Sequence, residues 1–386
     1  MAVSQRDASP MCCSGQRAPV EIHNQDAALN KLSSSAKRPM KAYRIEWGEN
    51  AEFVDVAVPM PKAGEVLLRM CGAGLCRSDL DMIDAAPGSH PYAAILPAGF
   101  TLGHENTGVV EILGEGVTDL KQGDPVVVHH MHSCGTCEFC HHGHEQSCRT
   151  FARGAIGMTR GVGIDGGLAQ FMTAPRHEIV ALGTLDPVDV APLTDAGVTS
   201  YRAVKSVLNR LVPGSNAVVI GLGGLGAYAV QFIKLLSPAV VFALDRSKPR
   251  LADGRRYGAD HCLLFDDHAA EMIMDLTGGR GADAIIDLVG TDATLALAAA
   301  VSRPHGRIVL VGLEGGSLAL GWGRMATTCE FAVSLGSTRA DLREVCELAA
   351  QGQLIIDLER FAFDDVENAY AKLRAGQLNG RAVVVF

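Results

Sequence analysis

Val218-Val219-Ile220-Gly221-Leu222-Gly223-Gly224-Leu225-Gly226 is the stretch on which the fold turns. Its apolar opening reads as a buried strand, and G-x-G-x-x-G then leads into a helix. Gly221 permits the tight turn, Gly223 lets the backbone approach a pyrophosphate, and Gly226 lets helix and strand pack closely. Free N–H groups at the helix start, around Gly224 and Leu225, offer the phosphates a seat. In a chain with 43 glycines such a motif is weak by itself, so its surroundings decide.

Asp245 lies nineteen positions beyond Gly226, at the end of the next apolar run. A carboxylate there accepts hydrogen bonds from the adenosine ribose hydroxyls and repels a 2′-phosphate, which favours NAD over NADP. Arg246, grouped with the cofactor-binding residues, and nearby Lys248 offset part of that repulsion. The plain alternative for Asp245 is a helix N-cap.

Strands are expected over 216–220, 240–244, 284–289 and 307–311, with helices over 224–236 and near 248–257. This alternation predicts an α/β half built on a doubly wound parallel sheet with both faces covered. After about residue 330 the pattern predicts a strand, two helices and a last strand over 381–386. Upstream, from 41 to about 173, short runs such as 65–70 and 125–129 alternate with Gly and Pro, as in a barrel-like or sandwich-like β domain. A helical pattern over 189–210 joins the two halves.

Within the β-rich half, Cys134-x2-Cys137-x2-Cys140-x7-Cys148 places four thiols in fifteen residues. Thiolates at this spacing close a tetrahedral shell around Zn²⁺ and leave no position for chemistry, so the site is structural. The surrounding His129, His130, His132, His141, His142 and His144 are expected to face solvent, because four sulfurs already complete the shell. Eleven cysteines, an odd number, read poorly as a disulfide framework and suit a reducing, cytoplasmic setting. Apart from these four and Cys76, six have no assigned role.

Three further runs offer ligands: Gly74-Leu75-Cys76-Arg77-Ser78-Asp79, Gly103-His104-Glu105 and Pro192-Leu193-Thr194-Asp195. One thiolate, one imidazole and one carboxylate leave a fourth zinc position open, as catalytic sites do. Nothing in their spacing brings them together. A buried small hydrophobe, an ordinary histidine and a helix cap are the bland alternatives.

Residues 1–39 are polar and without period. They lack a secretory apolar segment and are expected to be disordered, with Cys12 and Cys13 as idle thiols and Met40 as an alternative start. The chain is 48% hydrophobic and 20% charged, enough for about two domains with a packed core. A net charge of −9 and a pI near 5.8 argue against nucleic acid or an anionic membrane as partner. No apolar run is long enough for a transmembrane helix.

Gly103-His104-Glu105-x2-Gly108-x5-Gly114-x2-Val117 resembles the zinc-containing alcohol dehydrogenases of the medium-chain dehydrogenase/reductase superfamily. The Gly-Leu-Cys-Arg-Ser-Asp run, the four-cysteine lobe and the glycine motif follow in that family's order from Met40 onward. Bacterial NAD-dependent secondary-alcohol dehydrogenases are most similar, with an Asp in a Leu-Thr-Asp-Ala-Gly run as third ligand. The resemblance implies a GroES-like catalytic domain over 40–196 carrying the lobe 134–148. It also implies a Rossmann NAD domain over 197–330 and a segment, 331–386, completing both.

It further implies two zinc ions per chain and NAD as cofactor. Cys76, His104 and Asp195 would hold the catalytic zinc, with Glu105 beside it and Asp79 orienting His104. Ser78 would bond the substrate hydroxyl and pass its proton outward, and Arg77 would reach the cofactor pyrophosphate. Where many members carry a His five residues after the first ligand, this chain has Asp81. The implied substrate is a small uncharged alcohol or carbonyl, and the implied assembly a homodimer or homotetramer. Candidate pocket walls are Tyr92, Ile95, Phe100, Met158, Trp322 and Leu335. A polyol or amino-alcohol dehydrogenase and a non-catalytic NAD(H)/zinc redox sensor remain as alternatives.

Overall fold

The computed structural model of the protein describes residues 39–46, 50–85, 99–150 and 159–386. Nearly all of the expected N-terminal extension, with Cys12 and Cys13, lies outside them, as do Tyr92, Ile95 and Met158.

Asn216–Ile220 is a fully buried strand inside a six-stranded parallel sheet. The sheet order is His261–Leu264, Val240–Asp245, Asn216–Ile220, Ala282–Asp287, Ser302–Leu310, Glu330–Val333. Counted by sequence this is 3-2-1-4-5-6, and the order reverses beside Asn216–Ile220, where such folds bind dinucleotides. Period-two alternation sends Val218, Ile220, Phe242 and Leu244 into one cluster with Ile273 and Val301. Ala217, Val219, Val241 and Ala243 enter the other, with Val204, Phe232 and Val345 from helices Ala196–Lys205, Gly226–Leu236 and Arg339–Ala350. Both faces are dry, so these strands read as continuous apolar runs.

The β-rich half is built on a second sheet, ordered Ile179–Ala181, Pro125–Val128, Glu105–Leu113, Glu65–Gly74, Arg381–Val385, Leu358–Ala362, with Phe171–Pro175 also paired to Glu65–Gly74. Its interior holds Val66, Leu68, Met70, Val110, Val126 and Val128. Register shifts bend Glu65–Gly74 between Leu67 and Leu68 and again between Met70 and Gly72. The late strand Arg381–Val385 adds antiparallel to it, with Val383 opposite Gly74. The polypeptide thus crosses to the parallel sheet and returns to the first.

Leu358–Ala362, between the two late helices, is a strand that sequence pattern did not reveal. It pairs in parallel with Arg381–Val385 at the sheet edge and carries Glu359 and Arg360, so the apolar run that marks a strand is missing. Among the described residues no helix is long and apolar enough to cross a membrane.

Candidate metal and dinucleotide site

Three separate elements deliver the three expected ligands. Cys76 follows strand Glu65–Gly74 and caps helix Arg77–Ile83. His104 sits between strands Gly99–Thr101 and Glu105–Leu113, and Asp195 begins helix Ala196–Lys205. Their Sγ, ring nitrogen and carboxylate oxygen all lie within 4.8 Å of one another. His104 Nε2 is 3.4 Å from Asp195 Oδ2 and 3.5 Å from Ser78 Oγ. Tetrahedral Zn²⁺ with N and O ligands separates them by about 3.3 Å, so the donor set fits that ion.

The electrostatics fit as well. Burial alone would lower the His104 proton affinity, yet Asp79 and Asp195 raise it well above the ordinary histidine value. Burial would also raise the Asp195 carboxyl, but His104, His130 and Arg381 outweigh it and depress it. A buried pocket in which two carboxylates flank one imidazole favours a cation.

Asp79 is fully buried behind His104. Its Oδ1 lies 3.0 Å from His104 Nδ1 in bent geometry. Its Oδ2 accepts from the Cys76 backbone N–H at 3.0 Å and from the Tyr370 hydroxyl at 3.1 Å. The expected partner of His104 is therefore in place, and Tyr370 is a neighbour that sequence pattern missed.

Glu105 is also fully buried, but its partner is Arg381, the first residue of the late strand. The guanidinium Nη2 pairs with Oε1, Nε donates to Oε2 at 3.2 Å, and the Ala196 N–H donates to Oε1 at 3.3 Å. Burial pushes the Glu105 carboxyl up to about 7, against the pull of Arg381. Two glycines make the pair possible. A Cβ on Gly74 would stand 1.8 Å from Glu105 Oε2, and one on Gly224 would stand 2.4 Å from Arg381 Nη1. Arg381 thus touches the glycine loop and the metal pocket at once. Its only sequence signal is a cation opening the apolar run Arg381-Ala382-Val383-Val384-Val385.

In the glycine loop, Gly221 has φ +92°, and a Cβ on Gly226 would meet the Gly221 carbonyl oxygen at 1.9 Å. Gly223 faces open space, with Arg250 Nη1 at 3.8 Å as its nearest neighbour. Leu225 precedes helix Gly226–Leu236 and accepts from Ser200 Oγ at 2.8 Å through its carbonyl. Asp245 Oδ2 accepts from the Leu222 N–H and Oδ1 from the Ser247 N–H, each at 2.8 Å. Arg246, Lys248 and Arg250 are all exposed, and Arg250 comes within 3.8 Å of Asp245. Arg77 is exposed as well and lies 3.6 Å from Glu314, beyond the parallel sheet strand Ser302–Leu310.

The four lobe sulfurs converge, with Cys137–Cys140 at 3.5 Å and Cys134–Cys140 and Cys137–Cys148 at 3.9 Å. Zn–S bonds of 2.3 Å in a tetrahedron place sulfurs about 3.8 Å apart. Backbone N–H groups of Thr136 and Cys137 point at Cys134 Sγ, and the Thr136 donors lead in lowering its thiol to about 5. The described cysteines are all free.

Not every expectation survives. His141, His142 and His144 are exposed, but His129 and His130 are buried at 1% and 3% exposure. They directly follow the buried strand Pro125–Val128. His129 Nε2 meets Ser337 Oγ at 3.0 Å, and His130 Nδ1 donates to the Thr194 carbonyl at 2.7 Å. His132 is half-buried against Glu178 at 2.5 Å, and Arg160 donates to the same carboxylate at 3.0 Å. Of the pocket candidates, Phe100 belongs to the core and Trp322 is 95% exposed, leaving Leu335 half-buried.

Residues 62–184 match the alcohol dehydrogenase GroES-like domain and residues 224–351 the zinc-binding dehydrogenase domain. A D-arabinose 1-dehydrogenase (NADP(+)) of Saccharolobus solfataricus is 32% identical, covering 88% of this chain and 95% of its own. An NAD-dependent alcohol dehydrogenase of Sulfurisphaera tokodaii is also 32% identical, covering 90% and 100%. The crystal structure of the alcohol dehydrogenase of Aeropyrum pernix superposes with a TM-score of 0.81 at 33% identity, over 90% of this chain and 100% of that one. The chain belongs to the zinc-containing alcohol dehydrogenase family of the medium-chain dehydrogenase/reductase superfamily, oxidoreductases with a GroES-like domain and a dinucleotide-binding domain.

Proposed function

We propose that the protein is an NAD-dependent zinc alcohol dehydrogenase, in which Cys76, His104 and Asp195 hold the catalytic zinc and Cys134, Cys137, Cys140 and Cys148 a structural one. The observation that carries this reading is the convergence of three ligand atoms from three distant segments within 4.8 Å. Bound zinc supplies a Lewis acid that makes an alcohol acidic at neutral pH, and bound NAD supplies the hydride acceptor.

The remaining work falls to the chain. Ser78, 3.5 Å from His104 Nε2, accepts the alcohol proton's hydrogen bond and passes the proton outward. Asp79 holds the His104 tautomer from behind. Arg381, reinforced by Glu105, presents positive charge to the pyrophosphate seated on Gly223, Gly224, Leu225 and Gly226. Arg77 adds a second cation from the catalytic half. Asp245 takes the adenosine ribose and selects NAD, with Arg246 beside it. Glu105, held by Arg381 and close enough to Asp195 and His104 to feel their charge, is the carboxylate beside the metal.

The GroES-like domain spans 40–196 and the Rossmann domain 197–330, with 331–386 completing both. The half-exposed outer strand Glu330–Val333, at the end of the parallel sheet, is the surface through which a homodimer or homotetramer pairs. An odd number of cysteines, four of them at zinc spacing, supports a reducing, cytoplasmic setting.

The substrate is a small uncharged alcohol or carbonyl. A sugar or other polyol is the second reading. It is favoured by His130, a buried polar group whose Nε2 lies 3.9 Å from Asp195 Oδ1, and by the D-arabinose 1-dehydrogenase relative. Metal analysis together with an NADH absorbance scan over simple alcohols, ketones and aldoses tests all of this. Two zinc ions per chain and turnover are expected. Two zinc ions without turnover of any compound would favour the redox sensor instead.

A further inference from the structure

We propose that Tyr370 is a positioning residue for the metal centre, acting through Asp79. The proposal rests on the zinc reading of Cys76, His104 and Asp195. Tyr370 is 3% exposed, on helix Val366–Ala375, and its hydroxyl donates to Asp79 Oδ2 across 291 positions of sequence.

Asp79 has two tasks on opposite oxygens. Oδ1 faces the His104 ring, and Oδ2 takes the Cys76 N–H. The carboxyl torsion of an aspartate is broad and only two-fold, so packing alone does not fix its plane. One donor on Oδ2 leaves the group free to swing about that bond. Two donors, Cys76 N–H and Tyr370 O–H, fix the plane and with it the aim of Oδ1. His104 then keeps its proton on Nδ1 and its Nε2 as the ligand atom.

The ring of Tyr370 stacks on Tyr43, with centroids 6.0 Å apart and planes at 24°. A phenylalanine would fill that place equally well. A buried hydroxyl without a partner costs stability, so its presence is explained by the bond to Asp79. Cys76 and His104 are thereby both referenced to a helix of the late segment.

The test is Tyr370→Phe in the full zinc-loaded protein, with Tyr43→Phe as the control for the stacked ring. Zinc release to a chelator is followed alongside the visible spectrum of the Co²⁺-substituted protein. Release of the zinc that Cys76→Ser abolishes should quicken about tenfold, the low end for outer partners of metal ligands. The Co²⁺ bands of that site should shift, the four-cysteine zinc should leave at the original rate, and Tyr43→Phe should match the parent. Unchanged release and spectrum in Tyr370→Phe would overturn the proposal. Faster loss of both zinc ions with a lowered unfolding temperature would overturn it too, because it marks a role in folding only. If Cys76→Ser removes no zinc from the parent protein, the zinc reading itself fails and takes the proposal with it.

Discussion

Arg381 and Glu105 face each other in the interior, a guanidinium from the late strand closed on the carboxylate next to His104. The pair joins the glycine loop to the metal pocket. Breaking one side of a buried ion pair costs about 3–5 kcal/mol, because the other charge is left stranded. Arg381→Met should therefore destabilise the protein by that amount in urea unfolding. The double variant Arg381→Met/Glu105→Gln should recover part of it, yet bind NADH as weakly as Arg381→Met alone.

Asp245→Ser should shift cofactor choice. Losing the carboxylate leaves Arg250 without its nearby acid and removes the repulsion of a 2′-phosphate. The kcat/KM ratio of NADPH to NADH should rise at least about tenfold, the equivalent of 1.4 kcal/mol. The Leu222 and Ser247 N–H groups lose a strong acceptor, so unfolding should also show a loss of about 1–3 kcal/mol.

Two glycine variants should separate folding from binding. Gly223→Ala meets nothing closer than 3.8 Å, so it should unfold at the parent temperature while NADH affinity falls, because the new methyl stands where the ligand approaches. Gly226→Ala places a methyl 1.9 Å from the Gly221 carbonyl. That loop has to move, at a cost of about 1–3 kcal/mol or more, and both affinity and stability should drop. Fluorescence titration and thermal unfolding distinguish the two.

His129 gives stability a pH dependence of definite sign. Burial, with His130 beside it, holds the imidazole well below its ordinary value of 6.5. The unfolded chain therefore takes up a proton that the folded one refuses. Stability is full above 6.5 and falls as pH drops below it, by up to about 1.4 kcal/mol per pH unit from this group. His129→Gln should lessen the slope of urea-derived stability between pH 6.5 and 5, leaving the part that buried His130, also held below its ordinary value, contributes. Glu178 enters later. Burial would raise its carboxyl, but Arg160 and His132 hold it below the ordinary 4.5, so its contribution persists until the solution is more acidic than that.

The parallel sheet was legible because its determinants are local. The run 216–220, the glycines and Asp245 lie in one continuous stretch, and the strand came out with the bounds its apolar residues mark. The lobe was legible for the same reason. The trio Cys76, His104 and Asp195 was not legible from spacing, since sheet pairing and the Asp195 helix bring the three together only in space; family resemblance supplied the grouping. Arg381 and Tyr370 stayed hidden because strand Arg381–Val385 and helix Val366–Ala375 return to the first half, a path no periodicity encodes. His129 and His130 were misread because their nearness to the cysteines masked a simpler cue, the buried strand that runs directly into them.

Glu105 and Arg381 are separated by 276 residues. At translation speeds of about 5–20 residues per second, a growing chain carries Glu105 for tens of seconds before its partner exists. During that interval the β-rich half lacks strand Arg381–Val385, and a closed interior would trap an uncompensated acid. A chain cut short of Arg381 also lacks the strand that pairs with Gly72–Gly74, which leaves that stretch of sheet edge open.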